Sequence, residues 1–380
     1  MLSEKVICSN RDSIHSYFAW PSITRLKDGR LAMVASGFRV WHLCPFGKSV
    51  ICFSSDEGKT WSLPAIWKDT PLDDRDTGIT AFGESSVILT GFTVSGEKSS
   101  QFMGKKVQEK VHAYGASYLE LIKEKMNPEK YEGSSFRISH DNGQTFGELK
   151  YLPVTCPHGP AALPDGTLLY VGSTYKNGWK EKHAQCYKLY PDGNYEFLCD
   201  IESNEDGIAN DEPYAIALKS GKILVHFRKR LGADPFDISI YQSESYDGGR
   251  SFTKSHSIGL DKNSGAPPHI IEQDGVLISL YGHRERGNWQ IRAAFSFDEG
   301  ETWDGDHVIT GHQEWAADFG YPSSVVLQDG SILTVYYATD EGRSGDRFYE
   351  DENGVVENFP ATVVKQVIWR YETGEVPNEN

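Results

Sequence analysis

The stretch Ser296-Phe-Asp-Glu-Gly-Glu-Thr-Trp303 decides the fold, because the chain contains four variants of it. The other three span residues 54–61, 139–146 and 245–252, and all share the pattern Ser-x-Asp-x-Gly-x-Thr/Ser-aromatic, which we call the box. An Asp followed by a Gly between β-rich stretches is typical of a tight hairpin turn. The carboxylate accepts hydrogen bonds from the turn, and Gly supplies a positive φ. One copy would carry little information, but four copies indicate a repeat architecture.

A second repeat interleaves with the boxes and consists of a strand, an Asp-Gly type of turn and a second strand. Its turns fall at Gly29, Gly166, Gly221, Gly275 and Gly330, with a weaker copy at Glu84-Ser85. Apart from one longer gap the period is about 55 residues, which leaves room for two more strands per unit. We therefore predict an all-β fold, a six-bladed β-propeller with four-stranded antiparallel blades, as a single domain over residues 1–380. The N-terminal Val6–Ser9 is expected to complete the last blade beside Val363–Tyr371.

The longer gap between Glu84 and Gly166 contains an insertion in blade 2. Apolar residues recur there at spacings of three and four from Val107 to Met126, as in an amphipathic helix, and Asn127-Pro128 ends the pattern. We predict a helical insertion at about residues 97–132. Packing on the rim, a lid and a dimer contact are all open as its role.

Composition excludes several classes of function. The formal net charge of −16 is expected to repel nucleic acids and anionic membranes. The six cysteines lack Cys-x-x-Cys spacing, so no metal site is predicted, and no spacing implies an organic cofactor. No stretch approaches the roughly 18 apolar residues of a membrane span, and the N-terminus does not resemble a secretion signal. A cytosolic location is expected, with secretion and the oligomeric state left open.

The direction of the strands assigns the loops to two faces. The Asp-Gly turns and the boxes join strands one to two and three to four, so both lie on one face, where a structural role is expected.

The opposite face carries the starts of the inner strands and the ends of the second strands. The inner strands start at Trp20, Thr77 (after Asp76), the His158 region, Glu212, Ala266 and Tyr321. The second strands end near Arg39, Arg228 and Arg284. Because guanidinium groups bind carboxylates through paired hydrogen bonds, several arginines on one face favour an anionic ligand.

In these motifs the whole chain resembles the sialidase (neuraminidase) superfamily, whose members are six-bladed propellers with such Asp boxes. The resemblance implies that Tyr321 is a nucleophile, that Glu212 is its base, and that Arg228 and Arg284 bind a substrate carboxylate. A sialoside carries a carboxylate on its anomeric carbon, which would repel an anionic nucleophile, whereas a neutral phenol avoids this repulsion. The resemblance therefore implies a retaining exo-glycosidase that acts on a glycan ending in an acidic sugar, either sialic acid or a related carboxylated sugar.

One arginine of the family pattern is absent. The first arginine of the family precedes the proline of blade 1 by two residues, and this chain has Ala19 there, followed by Trp20. Arg39 and Arg75 are the candidates to take its place, and Trp20 is a candidate contact for the sugar.

The acid/base Asp of the family is also absent from the loop after the second strand of blade 1, at residues 37–47. His42 in that loop is one candidate acid, since its side chain titrates near neutral pH. Asp74 and Asp76 at the opening of blade 2 are the others, and Asp74 is also a candidate substrate contact.

Two other functions fit the same residues. One is a polysaccharide lyase or hydrolase on uronic-acid or other plant or microbial glycans, and a lyase would use a His/Tyr pair with arginines. The histidines near the predicted face are His42, His158, His269 and His283, of which His158 and His283 are also candidate substrate contacts. A carbohydrate-binding propeller without catalysis is the third possibility, and it predicts that Tyr321→Phe has no effect.

Overall fold

The computed structural model describes residues 3–13, 15–95, 118, 121–122, 124–174, 184–203, 210–232, 236–285, 287–313, 318–340, 347–350, 356–359 and 361–371. Strands dominate the described residues. The first of them, β1 (Ser3–Cys8), belongs to the last blade.

Antiparallel pairing groups most of the described strands into six blades, each running from an inner to an outer strand, and a parallel bridge between Tyr17 and Thr362 joins the first and last blades into one sheet. Blade 1 consists of β2 (Tyr17–Arg25), β3 (Leu31–Arg39), β4 (Lys48–Ser54) and β5 (Ala65–Lys68). Blade 2 consists of β6 (Asp73–Phe82), β7 (Ser86–Val94), β8 (Gly133–Ser139) and β9 (Lys150–Leu152). Blade 3 has a divided inner strand and consists of β10 (Val154–Thr155) with β11 (Ala161–Ala162), β12 (Leu168–Thr174), β13 (Ala184–Leu189) and β14 (Tyr195–Ile201).

The second half of the chain repeats this plan. Blade 4 consists of β15 (Asn210–Ala217), β16 (Ile223–Arg230), β17 (Ile238–Ser245) and β18 (His256–Ser257). Blade 5 consists of β19 (Ser264–Gln273), β20 (Val276–Glu285), β21 (Asn288–Ser296) and β22 (Asp304–Gln313). Blade 6 consists of β23 (Gly320–Val326), β24 (Ile332–Thr339), β27 (Thr362–Trp369) and β1, while a separate hairpin joins β25 (Arg347–Glu350) to β26 (Val356–Phe359).

The inner strands contact one another in chain order and close a ring. The contacts run from β2 to β6, β11, β15, β19, β23 and back to β2. The predicted all-β propeller is thereby confirmed. Its core lies between neighbouring blades: Leu31 and Met33 of blade 1, for example, pack with Leu333 and Val335 of blade 6, and all four are fully buried.

The N-terminus closes the ring as predicted. Strand β1 pairs antiparallel with β27, from Ser3 opposite Ile368 to Cys8 opposite Val364. The strand therefore begins earlier than the predicted Val6–Ser9. Because β1 is the outer strand of a blade whose other three strands come from the C-terminal end of the chain, the two ends of the chain are held together by backbone hydrogen bonds.

The boxes are turns that also join blades. In the last box the Ser296 hydroxyl donates to Asp298 at 2.8 Å, and the Thr302 backbone N–H and hydroxyl donate to the same carboxylate at 2.9 and 2.6 Å. Gly300 has φ of 84°, and a Cβ there would lie 2.6 Å from the Leu224 side chain of blade 4, so only Gly fits. Trp303 Nε1 donates to Gln242 of blade 4 at 2.8 Å. The box therefore connects two blades, in keeping with a structural role.

The predicted helical insertion is not supported by the described residues. Most of residues 97–132 lie outside the described ranges. Within the described part of that segment, residues 118, 121–122 and 124–125 have α-helical backbone, and Met126 N donates to Ile122 O at 2.9 Å. The one helix whose two ends are both defined there is the 3-10 turn Pro128–Lys130. In the described part of the chain, no helix is long and apolar enough to span a membrane.

Candidate active site

Four residues that open inner strands share an unusual backbone conformation. Trp20, Asp76, Glu212 and Tyr321 have φ of 54°, 47°, 44° and 51°, and in each case the register with the second strand slips at that point. A left-handed backbone costs a non-glycine residue about 1–2 kcal/mol, and such strain is found mostly at functional sites. These bulges bring four large side chains together at the ring of inner strands. The prediction named Thr77 for blade 2, which is wrong by one residue, because Asp76 occupies this position.

Tyr321 and Glu212 form the pair that the sequence predicted. The Tyr321 hydroxyl donates to Glu212 Oε1 at 2.7 Å, and the two residues are 5% and 8% exposed. Burial raises the pKa of Tyr321 well above its usual value, and the Glu212 carboxylate raises it further. The phenol is therefore neutral at rest, and its proton already points at a carboxylate that can accept it.

Arg228 contacts both members of this pair. Its guanidinium lies 2.7 Å from Glu212 Oε2 and 3.4 Å from the Tyr321 hydroxyl. It also donates to Asp211 at 3.0 Å, because Asp211 and Arg228 are direct neighbours across β15 and β16. The guanidinium thus bridges two carboxylates beside Tyr321.

Arg284 lies on another side of Tyr321, with its guanidinium carbon 5.8 Å from the ring centre. It donates to the Phe319 carbonyl at 2.6 and 3.0 Å and to the Tyr337 hydroxyl at 3.1 Å, and it lies 3.4 Å from Asp318. Arg228 and Arg284 therefore both approach the predicted nucleophile, as the sequence predicted.

Asp318 is a member of the site that the sequence analysis missed. It accepts hydrogen bonds from the hydroxyls of Tyr17 and Tyr337 at 2.5 Å each and from His42 Nδ1 at 2.6 Å. Burial alone would raise the pKa of Asp318, but His42, Arg284 and Tyr17 together hold it well below the usual range. Asp318 is therefore an anion fixed inside the site.

A weak signal for Asp318 was present in the sequence. It stands three residues before Tyr321, in the segment that leads into an inner strand. Tyr17 and Tyr337 carried no comparable signal, since tyrosines at strand ends are ordinary core residues. Their hydroxyls acquire a role only when blades 1 and 6 meet.

His42 is the most exposed of these side chains, at 42%, and it contacts two charged neighbours. Its Nδ1 bonds Asp318, and its Nε2 lies 3.2 Å from a guanidinium nitrogen of Arg75. Desolvation of the ring lowers the pKa of His42, and the charges of Arg75 and Arg39 lower it further. The charge of Asp318 opposes this shift. A neutral ring that donates from Nδ1 and accepts at Nε2 satisfies both contacts. This arrangement makes His42 a poor general acid at neutral pH.

Asp76 has the properties that a general acid requires. Burial raises its pKa to about 7, with a further contribution from Glu212, and Arg75 and Arg39 oppose the shift. Its Oδ1 is buried and makes no hydrogen bond. Of the predicted acids, Asp76 is therefore the one that can hold a proton near neutral pH and has an unsatisfied oxygen.

Arg75 is the cation of the site with the loosest charge pairing. Its nearest carboxylate oxygens, on Asp73 and Asp76, lie at 3.8 and 3.9 Å, and its Nε is buried without a hydrogen-bond partner. The guanidinium carbon lies 4.6 Å from the ring centre of Trp20. Trp20 is 1% exposed, so it serves as a platform for Arg75 rather than as an exposed surface for a sugar.

Arg39 and Asp74, both predicted to contact substrate, have protein partners for their charges, and the Arg39 guanidinium carbon lies 5.0 Å from the ring centre of Trp20. Both side chains are fully buried. Arg39 pairs with Asp73 at 2.7 Å and donates to the carbonyls of Asp74 and His42, so it holds the loop that presents His42. Asp74 accepts hydrogen bonds from Thr70 and Thr93. Burying a charge is favourable only with such partners, and these partners explain both residues.

His158 and His283 were also predicted to contact substrate, and the structure separates them. His158 is 1% exposed and packs against Tyr321 at 6.4 Å between ring centres, and its burial lowers its pKa to about 3. His283 is 4% exposed and bonds Ser264 at 3.1 Å within blade 5. His158 therefore packs against Tyr321 as an uncharged ring, while His283 belongs to the interior of its own blade.

No group of three or more His, Cys, Asp or Glu side chains in the described ranges is placed to hold a metal ion. The cluster around Tyr321 consists instead of guanidinium groups, carboxylates and phenols. These groups are suited to binding an anion and to moving a proton.

Solved structures share this fold at low sequence identity. A protein of unknown function from Dyadobacter fermentans aligns with a TM-score of 0.69 and 17% identity, over 96% of this chain and 97% of that chain. An intramolecular trans-sialidase from Ruminococcus gnavus aligns with a TM-score of 0.61 and 12% identity, over 96% of each chain. An α-L-arabinofuranosidase from Fusarium graminearum aligns with a TM-score of 0.58 and 14% identity, over 95% of this chain and 97% of that chain. At these identities the likeness establishes the fold.

Sequence comparison identifies the family. None of the curated proteins matches the chain. The model of the BNR repeat-like domain matches residues 92–334, which is more than half of the chain. The chain therefore belongs to the BNR repeat-like domain family.

Proposed function

We propose that the protein is a retaining exo-glycoside hydrolase that removes a terminal acidic sugar from a glycan, with Tyr321 as nucleophile and Glu212 as its base. The observation that carries the proposal is the 2.7 Å hydrogen bond from the Tyr321 hydroxyl to Glu212, with Arg228 and Arg284 beside it. A tyrosine is a weak nucleophile unless a neighbouring base takes its proton, and Glu212 meets this requirement. The related glycosidase structures support the general class of reaction.

In the first step the Tyr321 oxygen attacks the anomeric carbon while Glu212 accepts the phenolic proton. Asp76 donates a proton to the leaving-group oxygen, and a covalent glycosyl-tyrosine results. In the second step Asp76, now ionised, takes a proton from water, which attacks the same carbon. The Tyr321 oxygen leaves that carbon and regains its proton from Glu212. Two inversions at one carbon give net retention of configuration.

The substrate carboxylate would contact Arg228 and Arg284, with Arg75 in place of the arginine absent at Ala19. Arg75 is supported over Arg39 because its charge is loosely paired, whereas Arg39 is fully buried against Asp73. Asp211 and Asp318 already contact the other two arginines, so an incoming carboxylate shares these guanidinium groups with them. Affinity for the carboxylate is therefore expected to depend strongly on Arg75.

A panel of aryl glycosides tests the proposal. It should contain sialic acid, related 2-keto sugar acids, uronic acids and neutral sugars. We expect release of the aryl group from one of the acidic sugars, with the first-formed product having the configuration of the substrate by NMR. Tyr321→Phe should abolish turnover, while the matched surface variant Tyr195→Phe, at a residue 42% exposed, should not change it. Turnover of neutral sugars at equal rate would contradict the acidic substrate, and turnover of none would contradict the glycoside hydrolase.

A lyase acting on uronic-acid glycans is the second candidate. The observation that favours it is His42, whose ring is 42% exposed, has a lowered pKa and lies 3.4 Å from the Tyr17 hydroxyl. A neutral imidazole next to a tyrosine could remove a proton and protonate a leaving group. This reaction would create a C=C bond that absorbs ultraviolet light and would incorporate no oxygen from labelled water, whereas hydrolysis incorporates one oxygen atom.

A further inference from the structure

Blade 3 contains two cysteines that the sequence separates but the fold brings together. Cys186 in β13 and Cys199 in β14 are direct partners in the antiparallel register. Residues directly opposite each other in such a pair have Cα atoms about 4.5–5.5 Å apart and side chains on the same face. This separation lies within the roughly 4.4–6.8 Å at which a disulfide forms without movement of the backbone.

Both side chains are free thiols, and they contact each other. Their mutual hydrogen bond raises the pKa of Cys186 and lowers the pKa of Cys199. The charges of Asp247 and Asp200 raise the pKa of Cys199, but to a smaller extent. Cys186 is fully buried, whereas Cys199 is partly exposed. The two cysteines therefore differ in the way that a two-thiol oxidation requires, with one accessible thiol and one sheltered partner.

The pair lies where blade 3 meets the box of blade 4. The Cys199 thiol donates to the Gly249 carbonyl at 3.4 Å, and a Cβ on Gly249 would lie 3.4 Å from Cys186 Sγ. The absence of a side chain at Gly249 thus leaves space for both sulfur atoms. A disulfide would replace the weak thiol hydrogen bond to blade 4 by a covalent link across the hairpin of blade 3.

We propose that Cys186 and Cys199 are an oxidation site, which peroxides convert to a disulfide in the folded protein. The Cys199 thiolate attacks one peroxide oxygen and breaks the O–O bond, which gives a sulfenic acid and, after protonation, one water. The Cys186 sulfur then attacks the sulfenic sulfur, the S–OH bond breaks, and the hydroxyl leaves with the Cys186 proton as a second water. In total two thiols lose two electrons and two protons, and hydrogen peroxide is reduced to two waters. The site is independent of the glycosidase proposal.

The chain provides an internal control in Cys8 and Cys52. These thiols also contact each other, since a hydrogen bond that Cys8 donates to Cys52 raises the pKa of Cys8. However, β1 pairs with β27 and β4 pairs with β3 and β5, so Cys8 and Cys52 are not partners in a register. Both are buried in the core between blades 6 and 1, at 2% and 0% exposed. Peroxide reaches them only when the protein opens.

Peptide mapping after treatment of the folded protein with stoichiometric hydrogen peroxide tests the proposal. Trypsin cleaves after Lys188, between the two cysteines, so the disulfide joins two otherwise separate peptides whose summed mass falls by about 2 Da. We expect this linked pair to form first, well before any Cys8–Cys52 link, and to disappear on reduction. In Cys186→Ser, Cys199 should stop at a sulfenic acid that dimedone traps, and in Cys199→Ser, Cys186 should stay reduced.

Either of two outcomes would overturn the proposal. One is that Cys199 of the wild type accumulates as a sulfinic acid while Cys186 remains a thiol. Another is that the Cys8–Cys52 link forms as fast as the proposed one. The wild-type order of oxidation is measured without any substitution, so it remains decisive even where a serine variant folds poorly.

Discussion

Asp76→Asn is expected to stabilise the protein at alkaline pH and to impair catalysis. The folded protein holds the pKa of Asp76 at about 7, against an ordinary value of 3.8. The folded state therefore binds this proton more tightly than the unfolded state does. The stabilisation is fully present below about pH 4 and is lost as the pH rises through 7.

The size of the effect follows from this difference. Each pH unit between the two pKa values corresponds to about 1.4 kcal/mol, so the full difference corresponds to about 4 kcal/mol. Between pH 5 and pH 8.5 the wild type is expected to lose about 3 kcal/mol of unfolding free energy through Asp76. Asp76→Asn has nearly the same shape and no ionisation, so it should not lose this contribution.

Urea unfolding of both proteins between pH 5 and pH 8.5 measures the prediction. The unfolding free energy of Asp76→Asn, relative to the wild type, should increase with pH by about 3 kcal/mol. The exposed Asp261→Asn, which makes the same chemical change at the surface, controls for the substitution itself. If the curves of Asp76→Asn and the wild type run parallel across this range, the assignment of a protonated Asp76 is wrong.

The same variant tests the catalytic role. A general acid typically contributes a factor of about 10²–10⁴, so Asp76→Asn should lose that much activity on substrates with a poor leaving group. A phenol of low pKa leaves without a proton, so the loss on such an aryl glycoside should be far smaller. Wild-type kcat/KM should fall as the pH rises above about 7, because the acid must be protonated. Equal losses on both types of leaving group would contradict the acid role.

Three further predictions concern the nucleophile, the anion site and the ring closure. Tyr321→Phe should reduce kcat by at least about 10³-fold, because it removes the attacking oxygen. The mass of the intact protein after rapid quenching should show a glycosyl adduct in the wild type and none in the variant. Arg75→Ala should raise KM for the acidic substrate about 10–100-fold and leave the thermal midpoint within a few degrees, because the charge of Arg75 is loosely paired. A rise in KM of the same size on a neutral sugar would contradict a carboxylate contact. Removal of residues 1–9 should lower the thermal midpoint by more than about 5 °C, because the outer strand of blade 6 is lost; an unchanged midpoint would show that β1 does not hold the ring closed.

Much of the site could be predicted because its parts lie next to inner-strand prolines or at strand ends. Glu212, Arg228, Arg284 and Tyr321 stand at recurring places in a repeat, and the repeat period alone brings those places to one face. The structure brings these four together, which agrees with the prediction. Positions in a repeat can be compared within one chain, so no second sequence is needed.

The errors have physical causes that local sequence does not contain. Arg39 and Asp74 are charged residues on the predicted face, yet they pair inward with Asp73 and with Thr70 and Thr93. Whether a charge faces solvent or an internal partner depends on which segments meet it in space. Burial is a tertiary property, and the same Asp is a surface charge or an acid with a pKa of about 7 according to its surroundings.

The repeat, the all-β propeller, the closure of the ring by the N-terminal strand and the face of the candidate site could all be predicted from local sequence. Turn chemistry and strand alternation are local, and a period of about 55 residues makes them visible without contacts. Only the tertiary structure decided that Asp318 is fixed by Tyr17, Tyr337 and His42, and that Asp76 and Arg75 have unsatisfied polar atoms within the site. Hydrogen bonds between blades 1 and 6 join residues about 300 positions apart, and no local pattern encodes such a distance.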